Sequence, residues 1–195
     1  MVQQKLLCLL LLATGRRIGE ITHLAQKHTV LAQGKTVRFS YLKNFIPKHC
    51  DQNFTPKLPE VVGLDSIIDN ELLLCPIRSL NIYLGKISNG GRLSITEPLW
   101  NLDTKGLTNL FRNTVIQSRF YVGNQNTVAI GPHQVRKFAA SYSAFMLTAD
   151  PGLERTLIDR MGCASMTVLR KNYIAEVPGL SLKCVIPVGT FLPNI

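Results

Sequence analysis

The apolar positions of the chain form a few distinct runs. The first is continuous: Leu6–Ala13 carries no charge and only Cys8 interrupts its aliphatic residues. Such a run reads in two ways. Preceded by Lys5 and followed by Ala13-Thr14-Gly15, it has the layout of a signal peptide with a small-residue cleavage site. It is also the pattern of a helix buried on all sides. It is too short to span a membrane, which takes about 20 apolar residues. Beyond the break at Thr14-Gly15, Ile18, Ile21, Leu24 and Ala25 recur at helical spacing and predict a second helix over Arg16–Gln26. Val30–Ala32 and Thr36–Leu42 then read as strands around Gln33-Gly34-Lys35, and Glu60–Leu64 as a third strand. Between them, Pro47, Pro56 and Pro59 mark Phe45–Pro59 as a loop or irregular hairpin.

The second half of the chain is helical in pattern. Pro76 opens a helix to about Lys86. Pro98–Trp100 is a short extended stretch, and Thr104 is a plausible N-cap for a helix to about Phe120. Pro132 starts a helix that carries His133 to Leu147. Asp150-Pro151-Gly152 opens another ending near Met161-Gly162, and a last one covers about Ser165–Ala175 before a Pro/Gly-rich tail. The fold class expected is mainly α with a small antiparallel β-sheet (α+β). No internal repeat or low-complexity tract interrupts it.

Composition narrows the partners. In 195 residues, Lys and Arg number 22 and Asp and Glu 12, for a formal net charge of +10, while hydrophobic residues make up 46%. This is enough apolar material for a real core and too little charge for intrinsic disorder. The positive excess points to a polyanion, either nucleic acid or an anionic membrane surface. The five cysteines, Cys8, Cys50, Cys75, Cys163 and Cys184, are odd in number and contain no C-x-x-C pair. A disulfide framework or zinc knuckle is poorly supported, and reduced thiols in an intracellular protein are the simpler reading.

Three groups of residues can carry chemistry. On the Pro132 helix at 100° per residue, Val135, Phe138, Ala139, Tyr142, Phe145 and Met146 share one side, and His133 and Arg136 share the other with small Ala140 and Ala144 nearby. A guanidinium offers a planar fork to two phosphate oxygens, and an imidazole can give or take a proton. The blander alternative is a solvated helix face. In Thr14-Gly15-Arg16-Arg17-Ile18-Gly19-Glu20, an arginine follows a glycine break at a helix start, where anions are favoured, and Glu20 can hold Arg17 in one rotamer. A simple i,i+3 surface ion pair is the alternative there. Gly162-Cys163 precedes Tyr173, which shares a helical stripe with Met166 and Leu169; a core tyrosine has the same pattern.

Taken in order, these segments resemble the catalytic domain of tyrosine recombinases and integrases, over about Lys5 to Ile174. The residues that carry the resemblance are Ala13–Glu20, Pro132-His133-Gln134-Val135-Arg136-Lys137, and Met161-Gly162-Cys163 through Asn172-Tyr173. Within the family the chain is similar to enzymes of DIRS-like retrotransposons and Cryptons. Leu74-Cys75-Pro76-Ile77-Arg78-Ser79-Leu80, the helix His133–Ser141, and the ten-residue step from Cys163 to Tyr173 carry that likeness.

The resemblance implies a domain over residues 1–176 and a tail, 177–195, that folds back or docks on a neighbouring protomer. It implies a DNA strand transferase that uses no metal or other cofactor. Tyr173 would attack a phosphodiester and form a 3′-phosphotyrosyl link. Arg17 and Arg136 would clamp the non-bridging oxygens. His133 would bind the phosphate or assist the tyrosine. Lys48, with Lys57 as alternative, would protonate the departing 5′-hydroxyl. Arg16, Lys43, Lys57, Lys137, Arg170 and Lys171 would face the DNA, with Glu20 in support. The partner expected is double-stranded DNA, bound by a tetramer and without a membrane, in a cell interior and in the nucleus of a eukaryote. Two departures stand out. Cys163 occupies a position usually held by His or Trp, and the family's separate N-terminal helical domain has no counterpart in this chain. A type IB topoisomerase-like enzyme shares the same chemistry, and a non-catalytic DNA-binding relic fits both departures. On any of these readings, Leu6–Ala13 is a core helix.

Overall fold

The computed structural model describes residues 1–47, 58–64, 72–88, 92–117 and 130–147, together with Ile158, Met161, Gly162, Ser165, Thr167 and Val168. Five α-helices and a three-stranded antiparallel sheet build these regions.

Helix α1 (Val2–Thr14) is the centre of the core. Leu6, Leu7, Leu10 and Leu11 are at most 1% exposed, so apolar residues surround the helix on several sides. It packs against helices α3 (Pro76–Ile87), α4 (Thr104–Gln117) and α5 (Pro132–Leu147) and against strand β3 (Glu60–Val62). This is why the Leu6–Ala13 run has no polar face: the helix has almost no solvent side. Gly15 ends it in the left-handed conformation at φ 59°, its N–H donating to the Leu11 carbonyl at 3.0 Å.

The expected helix over Arg16–Gln26 divides in two. Helix α2 spans only Ile18–Thr22, and strand β1 runs Leu24–Leu31. Leu24 and Ala25 do sit in the core, as the helical spacing required, but they reach it as strand residues. The reason lies far away in the chain. On one edge β1 pairs with β2 (Thr36–Tyr41). On its other side residues 94–99 bind: the Leu99 N–H donates to the Leu24 carbonyl at 2.7 Å, and those of Gln26 and Lys27 donate to the Glu97 and Ser94 carbonyls at 3.0 and 2.9 Å. Non-local pairing outweighs local periodicity here.

Strand β2 alternates as a half-buried strand should, with Val37, Phe39 and Tyr41 inward and Arg38 outward. Strand β3 pairs antiparallel with it, Val61 opposite Val37 and Glu60 opposite Arg38, and the latter two form a cross-strand ion pair.

Helix α3 begins at Pro76 as expected. Its N-cap is Cys75, whose Sγ accepts from the Arg78 N–H at 3.5 Å. Helix α4 starts at Thr104, yet the capping side chain is the residue before: Asp103 Oδ1 accepts from the Gly106 N–H at 2.7 Å. The Thr104 hydroxyl turns away and donates to Thr22 Oγ1 at 3.3 Å. Trp100, 2% exposed, donates from its indole N–H to the Ile21 carbonyl at 2.7 Å, and the Tyr83 hydroxyl donates to the Leu99 carbonyl at 3.0 Å. These two bonds fasten the 99–100 segment to α2 and α3. The two helices expected after Asp150 lie mostly outside the described residues, as do the tail and most of the Phe45–Pro59 loop.

Candidate active site

The site grows from the corner between α1 and α2. Thr14, Gly15, Arg16 and Arg17 turn the chain there. The buried Thr14 hydroxyl donates to the Leu10 carbonyl at 2.6 Å and accepts from the Arg16 N–H at 3.2 Å. The corner is thereby built from its own side chain as well as from the left-handed glycine. Arg17 sits at the N-cap of α2 with extended backbone, and its carbonyl accepts from the N–H groups of Glu20 and Ile21 at 2.9 and 3.0 Å.

Glu20 lies in the first turn of α2 and is 3% exposed. Its two oxygens take two different arginines: Oε1 accepts from Arg17 Nη1 at 3.0 Å and Oε2 from Arg16 Nη1 at 3.3 Å. The expected Arg17–Glu20 pair is therefore present, in a more enclosed form than a surface ion pair. Charge-assisted bonds to a desolvated carboxylate are stronger and better oriented than exposed ones. Arg17 keeps 23% of its side chain exposed.

Arg16 differs from its expected place. It was expected among the DNA-facing cations, but it is only 4% exposed and points inward to Glu20. The physical reason is proximity: Arg16 lies four residues before Glu20 across the corner, so the carboxylate that holds Arg17 is also within reach of Arg16. That signal was legible beside the i,i+3 pair.

The second arm is α5. Arg136 is 1% exposed, and its Nη1 donates to the Gly15 carbonyl at 2.6 Å. A contact across 121 positions of sequence thus brings the Thr14–Glu20 and His133–Lys137 motifs together. The two residues expected to share one face of the helix differ in burial: His133 is exposed and Arg136 is covered. Val135, Ala139 and Ala140 are buried with it, while Phe138, placed on the inward stripe by helical spacing, is 41% exposed and stacks on Tyr142. The helix is rotated so that Ala139, rather than Phe138, approaches the α1 corner.

His133 and Lys137 lie one turn apart on the exposed side of α5. The imidazole is held below its ordinary value of 6.5, first by partial desolvation and then by the positive charges of Lys137, Arg136 and Arg17. Arg17, from the other arm, is therefore within electrostatic reach of His133. Lys43 is exposed in the turn after β2. Lys48, Lys57, Cys163, Arg170, Lys171 and Tyr173 lie outside the described residues. Gly162, next to Cys163 in sequence, is described and has φ 59°.

The arrangement offers an anion one partly exposed guanidinium held by a carboxylate and an exposed histidine biased toward its neutral form, with a second, buried guanidinium fixed by a carbonyl beside them. Neutral imidazole can accept a proton as well as donate one, which suits it to acid–base work at a phosphate. Among the described residues, no group of three or more His, Cys, Asp or Glu side chains is placed to hold a metal ion, and no helix is long and apolar enough to cross a membrane. Cys8 and Cys75 are free thiols; burial pushes that of Cys8 up to about 11. Comparison of the chain with protein-family models, with curated proteins and with solved structures gave no match.

Proposed function

We propose that the chain is the catalytic domain of a DNA strand transferase of the tyrosine recombinase kind. The observation that supports it most is the junction of two distant motifs: Arg17 with its Glu20 support, and His133 with Arg136, gather at one corner through the Arg136–Gly15 bond. A solvated helix face would have had no reason to meet the Thr14–Glu20 segment. The charge of +10 supplies the long-range attraction for a DNA backbone.

On this reading the Tyr173 oxygen attacks phosphorus and the P–O5′ bond breaks. The phenolic proton passes to a base at the site, with neutral His133 the candidate. The leaving 5′-oxygen takes a proton from Lys48 or Lys57. Arg17 and Arg136 bind the non-bridging oxygens, where negative charge is concentrated in the transition state. The 3′-phosphotyrosyl link keeps the bond energy, so the 5′-hydroxyl of a second strand can reverse the step and release Tyr173.

The test is a nicked DNA duplex whose cleaved end diffuses away. A protein–DNA adduct that survives denaturation and is lost in Tyr173→Phe supports strand transfer. DNA binding with no adduct under any condition favours a second reading, a DNA-binding relic. Cys163 is the feature that favours it, because a thiol is a weaker hydrogen-bond donor than an imidazole or indole.

A further inference from the structure

Two left-handed glycines face one another across the α1–α2 corner. Gly15 and Gly162 both have φ 59°. A Cβ built on Gly15 would overlap the Met161 thioether, and a Cβ built on Gly162 would overlap the Arg16 guanidinium. The segments Gly15-Arg16 and Met161-Gly162 therefore interlock, each seating its side chain in the space the other's glycine leaves open. The same Arg16 guanidinium reaches Glu20 Oε2 at 3.3 Å, and Glu20 Oε1 holds Arg17 at 3.0 Å. A continuous path runs from the Met161–Gly162 turn through Arg16 and Glu20 to Arg17.

From this geometry we propose that Arg16 is a positioning residue: it locks the Arg17 guanidinium to the turn that precedes Cys163, and it makes no contact with DNA. The catalytic side of this inference rests on the strand-transfer reading above; the interlock itself does not. The guanidinium is suited to the task because it is flat and forked. It can lie on a bare peptide turn and still present an N–H to a carboxylate, which an ammonium on a flexible stem does less well. The Arg16 guanidinium is turned to Glu20 Oε2 and lies against Gly162, so it is directed at groups of the fold. With Arg16 shortened or made apolar, Glu20 retains Arg17, but the pair loses its anchor to the 161–162 turn.

The test uses the full chain and three forms: wild type, Arg16→Met and Arg16→Lys. Duplex binding is measured across a salt series, and cleavage of a nicked duplex in single turnover. Arg16→Met is expected to leave the affinity within about twofold and the salt slope unchanged. Its cleavage rate should fall about 10- to 100-fold, the scale of a misplaced catalytic group. Arg16→Lys, which keeps the charge beside Glu20, should recover part of that loss. A salt slope lowered by about one would make Arg16 a phosphate contact and overturn the proposal; so would an unchanged cleavage rate.

A second measurement stands apart from activity. Gly162→Ala should lower the melting temperature more in the wild-type background than in Arg16→Ala, because only the former has a guanidinium where the new Cβ must go. Equal losses would overturn the interlock. Should the wild type give no adduct with any DNA, the strand-transfer reading falls, and the melting temperatures still decide the interlock.

Discussion

Gly15 does three things at one position: it ends α1, it turns the chain in the left-handed region, and its carbonyl receives Arg136. Its replacement by alanine would meet both a backbone penalty of about 1–2 kcal/mol and the overlap with Met161. We expect Gly15→Ala to lower unfolding stability by about 2 kcal/mol or more in urea titration; a change under about 0.5 kcal/mol would contradict the described corner. His133 makes a prediction with a definite sign. Its folded pKa lies below the unfolded value near 6.5, so the neutral form is favoured in the fold. The stability it contributes is present above pH 6.5 and is lost as pH falls through that value toward the folded pKa. An NMR titration of the imidazole should therefore give a midpoint below 6.5, and Lys137→Gln should raise it by removing the positive charge that lowers it most. A midpoint above 6.5, or one unmoved by Lys137→Gln, would place His133 away from the cationic cluster. The residues that compose this cluster were legible in the sequence from their types and spacing. The inward turn of Arg16 is less legible because Glu20 has two arginines within reach, and the spacing does not say that it takes both.

Elements were legible where one local signal governed them. The Pro76 and Pro132 helix starts, the hairpin turn near Gly34 and the alternation of β2 all follow from residues within a few positions. The buried character of α1 was legible in its lack of any polar face. It predicts a sharp contrast: Leu10→Ala, in a fully buried site, should cost about 2–5 kcal/mol, whereas Ile116→Ala, on the exposed side of α4, should stay within about 0.5 kcal/mol. Thermal or urea unfolding of the two variants checks it. Comparable losses would mean that α1 is not the core helix. Elements were misread where a distant segment decided. The strand at Leu24–Leu31 depends on residues 94–99, and nothing near Leu24 announces them. The rotation of α5 likewise follows from the Gly15 carbonyl, which binds Arg136 and thereby leaves Phe138 at the surface.

At the scale of the molecule, sequence distance is what the fold removes. The motif at Thr14–Glu20 and the motif at His133–Lys137 have no visible relation along the chain beyond their order, and the α1–α5 packing makes them one site. On the proposed strand-transfer reading, the net charge of +10 favours DNA binding that weakens steeply with salt. Affinity for duplex DNA should fall by at least about tenfold between 50 and 200 mM salt if several phosphates are contacted. An affinity indifferent to salt would remove DNA from the account. The chemistry itself is tested most directly by finding which tyrosine becomes joined to DNA. Of the five in the chain, Tyr173 is the one the account requires. Trapping the protein on a nicked duplex, digesting the adduct and mapping the DNA-linked peptide by mass spectrometry should place a 3′-phosphotyrosyl bond on Tyr173. The account also predicts that Arg17→Ala and Arg136→Ala strongly reduce the yield. A link on Tyr41, Tyr83, Tyr121 or Tyr142, or a persistent adduct in Tyr173→Phe, would contradict it.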